Sequence, residues 1–150
     1  MSQLADNLEA SLRYSMDSVP FSRWMGMELE AIEDDRVLMA FDMREELIGD
    51  PTKRALHGGV ISAVLDTVDG FAALLGVLTR DSEQSPPSNL SPWLSTIDMR
   101  TDYLRPGVGE RFTATAFPQR VGGRLVVTRM ELHNDTGALI AVGTGTYVVP

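Results

Sequence analysis

Residues 56–79 read LHGGVISAVLDTVDGFAALLGVLT. Two glycines, Gly58 and Gly59, follow a histidine and open an apolar run. Val60 to Thr79 is long and apolar enough for one helix, and it is apolar nearly all round. A helix of that kind belongs inside a protein rather than on its surface. One stripe differs: Ser62, Asp66, Asp69, Ala73 and Gly76 recur at steps of four, three, four and three, so they share a face. Small residues on that face let another element approach closely. The run is also membrane-sized, but Asp66 and Asp69 sit in its middle, and each would cost roughly 2.5–3.5 kcal/mol at the bilayer centre. It reads as a buried helix of a soluble domain with no membrane insertion.

Outward from this helix, the chain alternates strand signals with turn signals. Gln3 to Met16 carries Leu4, Leu8, Leu12 and Met16 at four-residue spacing and reads as a short amphipathic helix within residues 1–20, stopped by Pro20. Phe21 and Trp24 follow and are expected to pack as a lid or plug. Met27 to Ile32 and Val37 to Met43 read as strands joined by the turn Glu33–Arg36. Glu45 to Arg54, with Gly49-Asp50-Pro51, reads as a loop. Beyond the helix, residues 80–93 form a polar insertion rich in Pro and Ser. Leu94 to Leu104 is a strand with Ile97, Met99, Thr101 and Tyr103 expected on one face. Arg111 to Gln119, Leu125 to Leu132 and Ala138 to Val149 complete a meander through turns at Gly122-Gly123 and Asn134–Gly137. The sheet has to wrap the apolar helix. The expected fold is therefore α+β: one domain over 1–150, an antiparallel sheet curled around one long central helix, which is the hotdog arrangement.

Composition narrows the functions. The chain has 150 residues, no cysteine and a net charge of −8. Thiolate chemistry, disulfides and Cys-based metal sites are excluded. The two histidines, His57 and His133, show no metal-ligand spacing, and His133 next to Asn134 reads as a solvated turn residue. An acidic chain is a poor polyanion binder, so no nucleic-acid partner is expected, although a few local basic residues can still hold the phosphates of a small ligand. The N-terminus lacks the basic and apolar pattern of a signal peptide, and a cytoplasmic location fits.

LHGGVISAVLDTVDGFAALL, followed by TIDMRTDYLRPG, GERFTATA, TRMELHND and TGTYVV, resembles the hotdog acyl-CoA thioesterases of the 4-hydroxybenzoyl-CoA and phenylacetyl-CoA type, over roughly residues 20–149. The likeness is greatest to a bacterial medium- and long-chain acyl-CoA branch with an insertion after the helix. The resemblance implies an acyl-CoA substrate, no cofactor, and a homodimer or a dimer of dimers. It assigns Gly58 as a backbone donor to the thioester oxygen, a role suited to the positive end of a helix dipole. It assigns Asp66 as nucleophile or general base, a choice the residues leave open. His57 gains an orienting or hydrogen-bonding task, or simply caps the loop. Thr96 lines up with a Ser or Thr used near the nucleophile, or is merely a β-branched strand residue. The remaining candidates on the substrate side are Gly59, Asp69, Arg105 and Arg124. Asp69 is read as a structural or pKa-tuning neighbour, and the two arginines as contacts for CoA phosphates or as solvated hairpin charges. Met25, Met27, Trp24, Phe71 and Leu75 are the candidate lining of an acyl tunnel. The chain departs from the family pattern at Pro51, where relatives often carry an Asn or Gln that orients the nucleophile or water. Asp50 or Thr52 could take that task if the loop shifts. Competing readings are a hotdog acyl-thioester dehydratase or hydratase and a non-catalytic acyl-CoA-binding protein.

Overall fold

The computed structural model describes residues 3–81 and 94–149. Most of the 80–93 insertion lies outside the described residues. Helix α1 (Gln3–Ser18) is followed at once by the short helix α2 (Pro20–Met25), with Pro20 in the first turn and Gly26 closing it at φ +68°. Proline suits a helix start and glycine a left-handed cap. Pro20 therefore ends one helix by starting another. Strands β1 (Glu28–Ile32) and β2 (Val37–Asp42) form the expected hairpin. The segment expected as a plain loop instead holds a 3₁₀ turn (Glu45–Leu47) and a two-stranded ribbon, β3 (Ile48–Asp50) with β4 (Ala55–Leu56). Gly49 is required there, since a Cβ would lie 2.5 Å from the His57 Cα.

Helix α3 (Gly58–Arg80) runs from this ribbon, two residues earlier than its apolar run begins. Strands β5 (Ser95–Tyr103), β6 (Arg111–Val121), β7 (Leu125–Asn134) and β8 (Leu139–Val148) follow. The six long strands form one antiparallel sheet in the order β1-β2-β6-β7-β8-β5. The expected hotdog architecture is thus observed. Ile61, Val64, Leu65, Val68 and Leu74 of α3 pack against Met39 and Phe41 of β2, Phe112 of β6 and Met130 of β7, while Leu8 and Leu12 of α1 seal the open side. Each such fully buried side chain contributes about 1.5–3 kcal/mol. Arg80 ties the end of α3 to the β6–β7 hairpin through the Gly122 carbonyl. Arg111 joins β6 to β1 and β2 through Glu28, Glu30 and Asp42.

The small stripe of α3 does admit a close approach, and the chain's own sheet makes it. A Cβ at Gly76 would meet Val121 and Pro118 at 2.7 and 2.9 Å, and Ala73 is buried with Val126, Tyr147 and Val149. Two expectations change. Phe21 and Trp24 form no plug. They stack on each other at 6.4 Å, are half exposed, and Arg44 lies over the Trp24 ring, while Ser22 and Met25 are the buried residues of α2. His133 is not in a turn but half-buried on β7, paired with Thr113.

Candidate active site

The first turn of α3 is built around His57. Its Nδ1 accepts the Gly59 N–H at 2.8 Å, so His57 is the N-cap. Any ring proton on a neutral His57 then sits on Nε2. Gly59 N–H is consequently occupied, whereas Gly58 N–H has no hydrogen-bond acceptor among the described residues. Of the two glycines, Gly58 alone presents a free donor at the positive end of the helix. A Cβ on Gly58 would touch the Tyr103 ring at 3.3 Å, and the Tyr103 hydroxyl donates to the Gly58 carbonyl at 3.0 Å. Ser62, one turn on, contacts the hydroxyls of both Thr101 and Tyr103. These contacts clamp the edge strand β5 to the start of the helix.

Asp66 lies two turns further along, half-buried. Its Oδ1 accepts two hydrogen bonds, from Thr96 Oγ1 at 3.0 Å and from the Tyr147 phenol at 2.9 Å. Oδ2 accepts none among the described residues. Thr96 reaches Asp66 because β5 carries a bulge between Thr96 and Asp98. An extra residue in one strand switches the side-chain alternation beyond it. Ile97 is therefore 54% exposed and does not share a face with Met99, Thr101 and Tyr103, as expected; Thr96 does. Asp50 and Thr52, the alternatives at the Pro51 departure, bond to each other in the turn after β3. Tyr147, a residue the sequence reading did not single out, reaches the Asp66 carboxylate instead.

Asp69 is fully buried one turn beyond Asp66, and neither carboxyl oxygen has a hydrogen-bond partner. It fits only because residue 145 is glycine: a Cβ there would stand 2.1 Å from Asp69 Oδ2. Burial, with the Asp66 charge adding to it, pushes the Asp69 pKa up from 3.8 to about 6, although Thr128 and Tyr147 pull it back. Burial and the two acids push the Tyr147 phenol up as well, so it stays protonated.

The two arginines do not converge within one chain. Arg105 helps line a depression of about 360 Å³ with Leu56, Gly58, Ile61 and Tyr103. Arg124 is exposed on the β6–β7 hairpin, past the other end of β5. The suggested acyl lining divides too: Met25, Met27 and Leu75 are core residues, Phe71 packs against that core, and Trp24 is half exposed.

A sheet curled on one central helix, with a glycine-opened helix start and a gripped carboxylate, defines the class as a hotdog thioesterase. The thioesterase superfamily model matches residues 54–141, and the chain belongs to that superfamily. It is 44% identical over 134 residues to the medium/long-chain acyl-CoA thioesterase YigI of Escherichia coli strain K12, covering 87% of this chain and 86% of that protein. A thioesterase-superfamily protein from Shewanella oneidensis superposes with a TM-score of 0.88 at 42% identity, over 98% of this chain and 97% of the other. A candidate thioesterase from Syntrophus aciditrophicus superposes at 0.85 with 35% identity, over 99% and 100% of the two chains.

Proposed function

We propose that the protein hydrolyses acyl-CoA thioesters with medium- or long-chain acyl groups, releasing the free acid and CoA. The observation that carries the mechanism is the Asp66 carboxylate, gripped through Oδ1 and open at Oδ2, on the same helix whose first N–H is unengaged. The chain length comes from the name of the Escherichia coli relative, and the cytoplasmic location goes with this reading. Oδ2 either attacks the thioester carbonyl, expelling CoA thiolate and leaving an acyl-aspartyl intermediate for water to cleave, or removes a proton from the attacking water. Negative charge then develops on the carbonyl oxygen, where the Gly58 N–H and the helix dipole stabilise it. In this reading Arg105, which lines the same depression as Gly58, meets CoA phosphates. Neither metal nor cofactor enters this reading.

One chain is not enough. Gly58 and Asp66 are eight residues apart on α3, about 12 Å at a rise of about 1.5 Å per residue, while one carbonyl must lie about 3 Å from both groups. With the small stripe already filled, the support for a homodimer is strand β5. It is a nine-residue sheet edge with Ile97 and Tyr103 each more than half exposed, as is Leu104 just beyond its end. Uncovered edges of this length invite pairing. Antiparallel pairing of two such edges about a two-fold axis sets the helix start of one copy beside the helix middle of the other. Each site would then use Asp66 of one protomer and Gly58 of the partner subunit.

The test is a panel of CoA thioesters of graded chain length, scored by thiol release, with Asp66→Asn alongside. Hydrolysis that peaks on medium or long chains and collapses in the variant supports the proposal. Water addition to enoyl thioesters without thiol release would favour the dehydratase reading, and binding without turnover the acyl-CoA-binding reading.

A further inference from the structure

The hydrolytic reading leaves one buried acid unused. Asp69 has no exposed surface and no hydrogen-bond partner, yet it stands on the turn that follows Asp66. An ionised carboxylate in that position lacks both water and donors, which is costly. The groups facing it can be named element by element. Its own helix brings Asp66, and β8 brings Tyr147. Strand β7 brings only the Thr128 hydroxyl, which donates to the Gly145 carbonyl at 3.2 Å. No Lys, Arg or His among the described residues acts on it.

Tyr147 stands between the two acids. Its phenol is shared between Asp66 Oδ1 at 2.9 Å and the Asp66 main-chain carbonyl at 3.1 Å, and it also lies beside Asp69. A phenol has a single proton to donate. We propose that Tyr147 and Asp69 are positioning residues for Asp66: Tyr147 holds Asp66 by its Oδ1 and its main-chain carbonyl, and Asp69, while it keeps its own proton, presents no second carboxylate to draw that donor away. This inference rests on Asp66 as the reacting group. When Asp69 ionises, a second carboxylate competes for the phenol, and Asp66 is held by Thr96 and a shared Tyr147. The grip decides which oxygen reacts. Both donors meet Oδ1, so Oδ2 is the free nucleophile or base. A carboxylate restrained in this way keeps the geometry on which proximity effects depend.

The inference predicts a pH dependence whose sign follows from the burial of Asp69. Activity declines as Asp69 ionises through about 6. The decline is bounded, because its limit is complete loss of the phenol, which Tyr147→Phe imposes outright. That variant keeps the ring that packs with Ala73, Val77, Val126 and Val149.

Three variants, Tyr147→Phe, Asp69→Asn and Asp66→Asn, are compared with the wild type by steady-state kinetics from about pH 5 to about pH 8 and by ¹³C NMR titration of the aspartate carboxyls. Tyr147→Phe is expected to lose about tenfold in kcat, with KM within about twofold, as for one charge-assisted hydrogen bond. The ¹³C shift of its Asp66 carboxyl at about pH 8 should differ from that of the wild type, because a donor to Oδ1 is lost. Asp69→Asn should erase the decline, so its ratio of kcat at about pH 8 to kcat at about pH 6 exceeds the wild-type ratio. Unchanged kcat in Tyr147→Phe, or superimposable pH profiles for wild type and Asp69→Asn, overturns the inference. An active Asp66→Asn would sink the catalytic reading of Asp66. The NMR shift is read independently of turnover, and identical Asp66 carboxyl shifts in wild type and Tyr147→Phe overturn the positioning role even in a protein inactive on every thioester tried.

Discussion

Replacing Asp69 by Asn should make the protein more stable at neutral pH, an unusual outcome for a buried substitution. Burial raises the Asp69 pKa from 3.8 to about 6. Between those values the folded state binds more protons than the unfolded state, so stability falls as pH rises across the window, and the whole loss is present above about 6. At about 1.4 kcal/mol per pH unit, the gap corresponds to a penalty of about 3 kcal/mol at most. Asparagine has nearly the shape of the protonated acid and never ionises, so it escapes the penalty. The pull of Thr128 and Tyr147 toward the ionised acid is already contained in that figure. For a domain of this size each kcal/mol moves Tm by about 2–4 °C, giving a rise of about 6–12 °C near pH 7.5. Thermal and urea unfolding would be followed from about pH 4 to about pH 8 at one fixed protein concentration, since any self-association makes Tm depend on concentration. The advantage should shrink toward zero as pH falls to about 4. A variant less stable than the wild type at neutral pH, or a difference that does not vary with pH, refutes the reasoning and means that Asp69 is ionised and satisfied in the fold.

Asp66→Asn should lose at least about a hundredfold in kcat while its unfolding stays within about 1 kcal/mol of wild type, and Asp69→Asn should lose much less. Circular dichroism melts and thiol-release kinetics measure both, and an active Asp66→Asn would exclude the acid assigned here. Gly58→Val should reduce turnover more than CoA affinity, because its side chain meets the Tyr103 ring 3.3 Å from the Cβ position and disturbs the free N–H. Titration of CoA beside the kinetics separates the two effects. Mixing Asp66→Asn with Gly58→Val under subunit exchange should restore about a quarter of wild-type activity, since about half the pairs are mixed and each holds one intact site of two. Exchange proven by mass spectrometry without recovery would falsify the shared site.

The fold was legible because its decisive element is extreme. A long run as apolar as residues 60–79 is only stable inside a protein, and the glycine-marked turns after it space out strands that must cover it. What periodicity cannot say is which element comes to a given face. The stripe of Ser62, Ala73 and Gly76 correctly marks a close approach, yet a strand of the same chain satisfies it as well as a partner helix would. The β5 bulge was equally hidden. Nothing in STIDMRTDY marks Ile97 as the extra residue, so strict alternation put it with Met99 and turned Thr96 away from the helix. Thr96 was nonetheless nominated by family resemblance, which carried information that alternation had lost.

Tyr147 escaped for a different reason. It is 81 residues from Asp66, and within TGTYVV an aromatic residue reads as ordinary strand filling. The signal was in its neighbours. Gly143, Gly145 and Tyr147 occupy alternate positions of β8, hence one face of the strand. Two glycines beside a tyrosine leave a gap in a sheet that otherwise fills its interior with branched and aromatic side chains, and glycine inside a strand marks close approach by another group. The group that approaches Gly145 is the Asp69 carboxyl. A small-residue notch on a closing strand, set against a helix with two buried-side acids, therefore points to the place where the strand meets those acids. The tyrosine next to the notch is the donor that meets them.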